Sequence, residues 1–153
     1  PAHLREHSLE IQVPFLQSVL KDFRIVPILM GQQDFEMCTI LAEGLVKAID
    51  EDPETLLIAS TDLSHSHDEM RANELDGEFI KQVRRFDPEG LDRSLSSGKC
   101  EACGGGPAVA VMLAARKLGA DRALILHSAH SGDVTGDRTR VVGYMSAALI
   151  REP

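Results

Sequence analysis

The sequence predicts an α/β domain: three αβα layers around a mostly parallel central sheet, left incomplete within residues 1–153. Three observations carry that expectation. Short apolar runs alternate with longer segments whose apolar residues recur at helical spacing. The run at 56–60 is apolar on both faces, as a strand covered by helices on either side should be. No internal repeat or low-complexity linker divides the chain, so one domain accounts for all of it.

The elements follow in order. Leu9, Val13, Leu16 and Leu20 give a helical stripe over 8–20, where Pro14 either kinks the helix or opens a second one. "FRIVPILMG" (23–31) reads as a strand closed by Gly31, with Pro27 placing it at an edge or a bulge. Asp34 caps the next helix, whose stripe is Cys38, Leu41, Leu45 and Ile49, and Asp52-Pro53 stops it. After the strand at 56–60, Ala72, Leu75, Phe79, Val83 and Phe86 mark one face of a helix over 67–86. Asp87-Pro88 opens a short helix to about Leu95. "SSGKCEACGGG" (96–106) is a loop, and Pro107 and Gly119 bound the helix after it. "RALILHSAH" is a third strand, "SGDVTGDRTR" a turn-rich loop and "VVGYMSAALI" the last strand.

Composition narrows the function classes. Apolar residues make up 43% and charged residues 26%, ordinary for a globular protein. The net charge of -8, with 16 basic against 24 acidic residues, argues against a nucleic-acid partner. No window reaches the roughly eighteen consecutive apolar residues of a membrane helix. No basic stretch followed by an apolar core marks a signal peptide, and three cysteines do not make a disulfide framework. A reducing, cytoplasmic location is the resulting expectation. The chain opens on Pro1 and reaches a helix-like segment at once, which leaves room for it to be one part of something longer.

In open α/β sheets, sites form beyond the carboxyl ends of the strands. Asp62 and His65 lie there, directly after the run at 56–60. Asp62 could hold His65 in one tautomer, freeing the other ring nitrogen for proton transfer or a metal. The plain alternative is a turn in which Asp62 and Ser64 satisfy loop amides. Ser66 and Glu69 have capping-box spacing, which would leave His65 just outside the helix and His67 in its first turn, facing solvent. Cys103 precedes a helix N-terminus, where a thiolate is favoured and could serve as nucleophile or soft ligand. Gly104 and its neighbours would let the backbone approach a ligand or form an anion nest. Cys100 and Cys103 have the spacing of half a zinc knuckle or a redox dithiol, without the rest of either motif. Cys38 belongs to the core.

A third loop holds His127, His130, Asp133, Thr135 and Asp137, which as turn residues need no function. The N-terminal segment adds His3, Glu6 and His7, with Ser8 as a cap. No phosphate loop, dinucleotide fingerprint, metalloprotease helix or nucleophile elbow occurs.

Taken together, "EHSLEIQVPFLQ" (6–17), "ASTDLSHS" (59–66), "CGGGP" (103–107), "SGDVTGD" (131–137) and "VVGY" (141–144) resemble successive signatures of the Memo family. The resemblance is collinear over nearly the whole chain. It implies a fold similar to the class III extradiol ring-cleaving dioxygenases, with a pocket where two histidines and a cysteine bind iron or copper. Cys103 falls on the metal-binding cysteine, and Asp62 and His65, the candidate catalytic residues, on an aspartate and a histidine of the same pocket. Glu6 and His7 fall on another pair, and the pocket lining is expected to include Gly104, His130 and Asp133. The two metal histidines belong to N-terminal motifs absent here, so the chain resembles the C-terminal half of a Memo-like protein. Ser66 stands where an aromatic residue is common, which implies a more open wall.

Two functions stay open at this point. One is an iron- or copper-dependent oxidoreductase of unknown substrate, with His65 as acid/base oriented by Asp62. A cysteine ligand differs from the two histidines and a carboxylate of the dioxygenases, so ring cleavage is not carried over. The other is a non-catalytic protein binding a small molecule, a peptide or a partner of the radical-SAM system that the resemblance implies. A chain lacking partner strands would also expose apolar edges and self-associate.

Overall fold

The computed structural model describes residues 6–49, 52 and 54–152. A 3-10 turn at Glu10–Gln12 runs into α1 (Val13–Val19), followed by α2 (Phe35–Ile49) and β1 (His65–His67). Next come α3 (Glu69–Arg84), α4 (Pro88–Ser96) and α5 (Gly105–Lys117). The chain closes with β2 (Arg122–His130), α6 (Gly132–Thr135) and β3 (Val141–Ile150).

The helices start where local chemistry puts them. Asp34 Oδ1 accepts the Met37 amide at 2.9 Å, and Asp87 Oδ1 accepts that of Gly90 at 2.8 Å. Pro14 and Pro88 occupy first-turn positions, so Pro14 opens a helix rather than kinking one. Gly119, with φ +97, follows the end of α5 in a conformation that suits glycine.

The mostly parallel central sheet is not what forms. Three strands pair antiparallel in the order β1–β3–β2, with Arg122 opposite Ile150 and His130 opposite Gly143. The connection explains this. Only residues 131–140 separate β2 from β3, too few for a parallel crossover, which needs a dozen or more. The runs at 23–31 and 56–60, expected as strands, carry no strand pairing among the described residues. An apolar run shows what could pair, but the partner is set elsewhere.

The core is helical on one side of the molecule and sheet-borne on the other. α2 packs on α5, α4 bridges α3 and α5, and α3 lies against β2 and β3. Cys38 and Ala42 of α2 share one buried cluster with Val109, Leu113 and Ala114 of α5, and the small residues let the two helices approach closely. Phe79 of α3 is completely buried, worth about 3 kcal/mol. Beneath β1, the Asp76 carboxylate accepts the Ser64 amide at 2.9 Å. A side chain on Gly143 would collide with that carboxylate, so this strand position has room for glycine alone.

Candidate functional site

Two loops build the site. Residues 60–65 lead into β1, and Cys103–Gly104 lead into α5. Thr61 Oγ1 accepts the Gly104 amide at 2.8 Å and donates to the Asp62 carbonyl at 2.6 Å. A Cβ on Gly104 would sit 2.5 Å from the Ser60 carbonyl oxygen, so glycine permits this clamp. Gln33 completes it: Nε2 donates to the Cys103 carbonyl at 3.1 Å and Oε1 accepts the Gly106 amide at 2.8 Å.

The clamp brings the sequence candidates together. The Asp62 amide donates to Cys103 Sγ at 3.3 Å, and the Asp62 carboxylate lies 3.4 Å from His65 Nε2. Asp62 thus links thiol and imidazole through its backbone and its side chain. His65 and Cys103 share the wall of a cavity of about 460 Å³ with Gln33, Leu63, Cys100 and Gly105. The side chains of His65 and Asp62 are 46% and 48% exposed, so both are accessible to solvent and solutes.

Other candidates fall elsewhere. Glu6 Oε1 accepts the amides of His7 and Ser8 at 2.9 and 2.7 Å, capping its own turn. The Ser8 amide is the chief cause holding the Glu6 carboxyl below its usual value. This N-terminal segment reaches the site indirectly, since Ser60 Oγ donates to the Ser8 carbonyl at 2.7 Å and accepts from Gln12. His3 lies outside the described residues. His130 and Asp133 meet in a separate cluster with Glu69 and Arg138. There His130 Nε2 is 3.1 Å from Glu69 Oε1, and the His130 amide donates to Asp133 Oδ2 at 3.0 Å. That amide is the leading cause of the low Asp133 value, followed, after an opposing burial effect, by the His130 and Arg138 charges. Arg138 pairs with Glu69 and lies 3.6 Å from Asp133. His130 Nδ1 is buried with no hydrogen-bond partner among the described residues.

Two local expectations are corrected. The N-cap of α3 is Asp68, whose carboxylate accepts the Arg71 amide at 3.0 Å, not Ser66. Ser66 lies in the left-handed region (φ 63) within β1, and Glu69 serves the His130 cluster instead of a capping box. His67 accordingly belongs to β1 and pairs with Glu101 at 2.9 Å, tying that strand to the cysteine loop. Thr61 and Gln33 were not singled out by the sequence. Their signal was position, since both lie at the carboxyl ends of the two apolar runs.

The cysteines separate clearly. Cys38 is buried in the core as expected, and Cys100 is buried as well. Burial, then the charges of Glu78, Asp76 and Glu101, pushes the Cys100 thiol up to about 12. A group held protonated in this way is a poor half of a redox dithiol. Cys103 is exposed. Among the described residues, no three His, Cys, Asp or Glu side chains gather closely enough to hold a metal ion.

The family model described as Memo-like protein matches residues 1–148. This chain belongs to the Memo-like family. It is 43% identical over 152 residues to a MEMO1 family protein of Methanosarcina mazei, which covers 98% of this chain and 56% of the relative. A MEMO1 family protein of Thermotoga petrophila is 42% identical over 148 residues, covering 97% of this chain and 52% of that one. One from Methanobrevibacter smithii is 38% identical over 146 residues, with 95% and 52% covered. The chain therefore spans about half the length of these curated relatives. No helix among the described residues is long and apolar enough to cross a membrane.

Proposed function

We propose that the Asp62–His65–Cys103 wall is one side of an iron- or copper-dependent oxidoreductase site, completed by ligands outside the described residues. The carrying observation is the double link through Asp62, which holds a thiol sulfur and an imidazole on one accessible cavity wall. Cys103 Sγ is a soft donor of the type iron and copper accept. The described residues alone supply too few donors for a stable site. When bound, the metal supplies one-electron redox chemistry.

The chain's own contribution is proton handling and positioning. Asp62 orients His65, so the imidazole can accept a proton from a substrate hydroxyl in the cavity and return it later. The Asp62 amide directs the Cys103 sulfur, and the Thr61 and Gln33 clamps keep that loop in register with β1.

The test is the iron and copper content of the complete protein, with Cys103→Ala and His65→Ala beside it. Cys103→Ala is expected to lose the metal and any thiolate-to-metal absorption band while keeping its circular dichroism spectrum. His65→Ala should retain metal and lose turnover. A wild type free of metal, with peptide or radical-SAM partner binding unchanged in both variants, would make the crevice a non-catalytic binding site.

A further inference from the structure

The cavity that holds His65 and Cys103 is one-sided in charge. Its wall includes Glu101, whose side chain is 46% exposed, and the Asp62 carboxylate lies against His65. Among the described residues no lysine or arginine lines it. Lys99, beside Gly98 and Cys100 in sequence, is exposed and not part of the wall. A second observation gives the sign of the field inside. Cys100 lines the same cavity, and its thiol is pushed up by burial first and then by the charges of Glu78, Asp76 and Glu101. All three are negative, so the field there opposes an anion. A cleft lined by one sign of charge concentrates ligands of the other.

Glu101 is also held in place. His67 Nε2 of β1 lies 2.9 Å from Oε2, which sets the cysteine loop beside the strand that carries His65. Oε1 has no hydrogen-bond partner among the described residues. Leu63, Leu95 and Ala102 give the same wall an apolar stretch. We propose that this cavity takes a small organic cation, a primary ammonium ion on a short apolar body, selected by Glu101 Oε1. A carboxylate with one oxygen anchored and the other open accepts the ammonium proton without first being ordered. Charge-assisted bonds of this kind are about twice as strong as neutral ones. The apolar body lies on the leucines, and the same field turns away carboxylates and phosphate esters. The inference rests on the reading above, since it names the class of molecule on which His65 acts. Recognition itself is carried by Glu101 and needs no metal.

Alkylation of Cys103 by iodoacetamide reports occupancy, because its sulfur stands on the same wall. The protein is stripped with a chelator, desalted and alkylated at neutral pH in the presence of n-butylamine, 1-butanol or butyrate. These share one apolar body and differ in charge, and glutathione alkylated under the same conditions controls for loss of reagent. Butylammonium is expected to slow the reaction several-fold and saturably, butanol less and butyrate not at all. Glu101→Gln should raise the amine concentration for half protection roughly tenfold or more. His67→Gln loses the tie but keeps the carboxylate, so it should still be protected. Unchanged dichroism establishes that both variants fold. The proposal is overturned if the amine gives no protection, if butanol or butyrate protects as well, or if Glu101→Gln is protected like the wild type. Loss of protection in His67→Gln to the same degree as in Glu101→Gln also overturns it, because the tie rather than the charge would then be the cause. Metal content is read separately. A protein that never holds metal yet is protected by the amine keeps this ligand class and loses the redox role, whereas one that holds metal without amine protection does the reverse.

Discussion

Two clusters of polar side chains flank β1, and they differ in how fully their groups are occupied. In the Glu69–His130–Asp133–Arg138 cluster, each charge faces an opposite partner, and His130 is only 8% exposed. The cluster pins the start of α3 to the end of β2, reinforced by the Glu69 amide donating to the Arg138 carbonyl at 3.1 Å. Along the Asp62–His65–Cys103 wall, each group has one or two weak ties and an open side. Groups whose charges are paired internally hold structure, even with His130 Nδ1 left without a partner among the described residues, whereas exposed groups beside a cavity can hold a ligand. Both clusters carry residues of the family resemblance, so motif membership alone does not separate them.

The largest expected effect removes the floor that both clusters share. Gly143 accepts the Leu63 amide, donates to the Ser64 carbonyl and pairs in register with His130. Gly143→Ala pushes a methyl into the Asp76 carboxylate, which itself holds the Ser64 amide. A loss of about 3 kcal/mol in urea unfolding is expected, together with changed reactivity at Cys103. If the substitution is silent in both readouts, the two regions do not rest on a common support.

Glu69→Ala comes next and should separate the clusters. It leaves Arg138 with the more distant Asp133 and takes a partner from a buried histidine, costing about 2 kcal/mol in thermal or urea unfolding. The alkylation rate of Cys103 should stay as in the wild type. A change in that rate would mean that the two clusters act as one site. Thr61→Val is milder still. It strips the acceptor from the Gly104 amide, so about 1.5 kcal/mol of stability is lost and Cys103 alkylation rises several-fold as the loop loosens. An unaltered rate would remove Thr61 from the clamp.

The parts that the sequence made legible are those set by neighbours a few residues away. Asp34 and Asp87 each cap within three positions, and the stripe through Cys38 finds its core because helical spacing fixes a face. Asp62 beside His65, and Cys103 before α5, were readable for the same reason. Pairing was not readable from apolar content alone. The runs at 23–31 and 56–60 have the composition of buried strands, yet composition names no partner and no direction. The short connection at 131–140 did carry the direction of β2 and β3, and it weighs more than the alternation of elements. The Ser66–Glu69 box misled because Ser66 is held in β1 at φ 63, and Asp68, an equally good capping residue immediately before Glu69, takes the position.

The smallest expected effect contrasts two cysteines on the same loop. Cys103 is exposed with its sulfur beside the Asp62 amide, whereas Cys100 and Cys38 are buried. Burial is the first cause that raises the Cys38 thiol to about 11 and the Cys100 thiol to about 12, from 9.0. Iodoacetamide at mildly alkaline pH should therefore label Cys103 in the folded protein and the other two after unfolding, as read by peptide mass. Equal labelling of Cys100 in the native chain would revive the dithiol reading. The same burial links to stability. Unfolded Cys100 ionises near the ordinary thiol value while the folded chain keeps its proton, so its contribution is whole below about 9 and is lost as pH rises toward about 12. One pH unit above the ordinary value costs about 1 kcal/mol for such a group. Cys100→Ala should flatten that alkaline decline and leave the Cys38 share, and an unchanged slope would mean that the Cys100 thiol is less deeply enclosed than its burial implies.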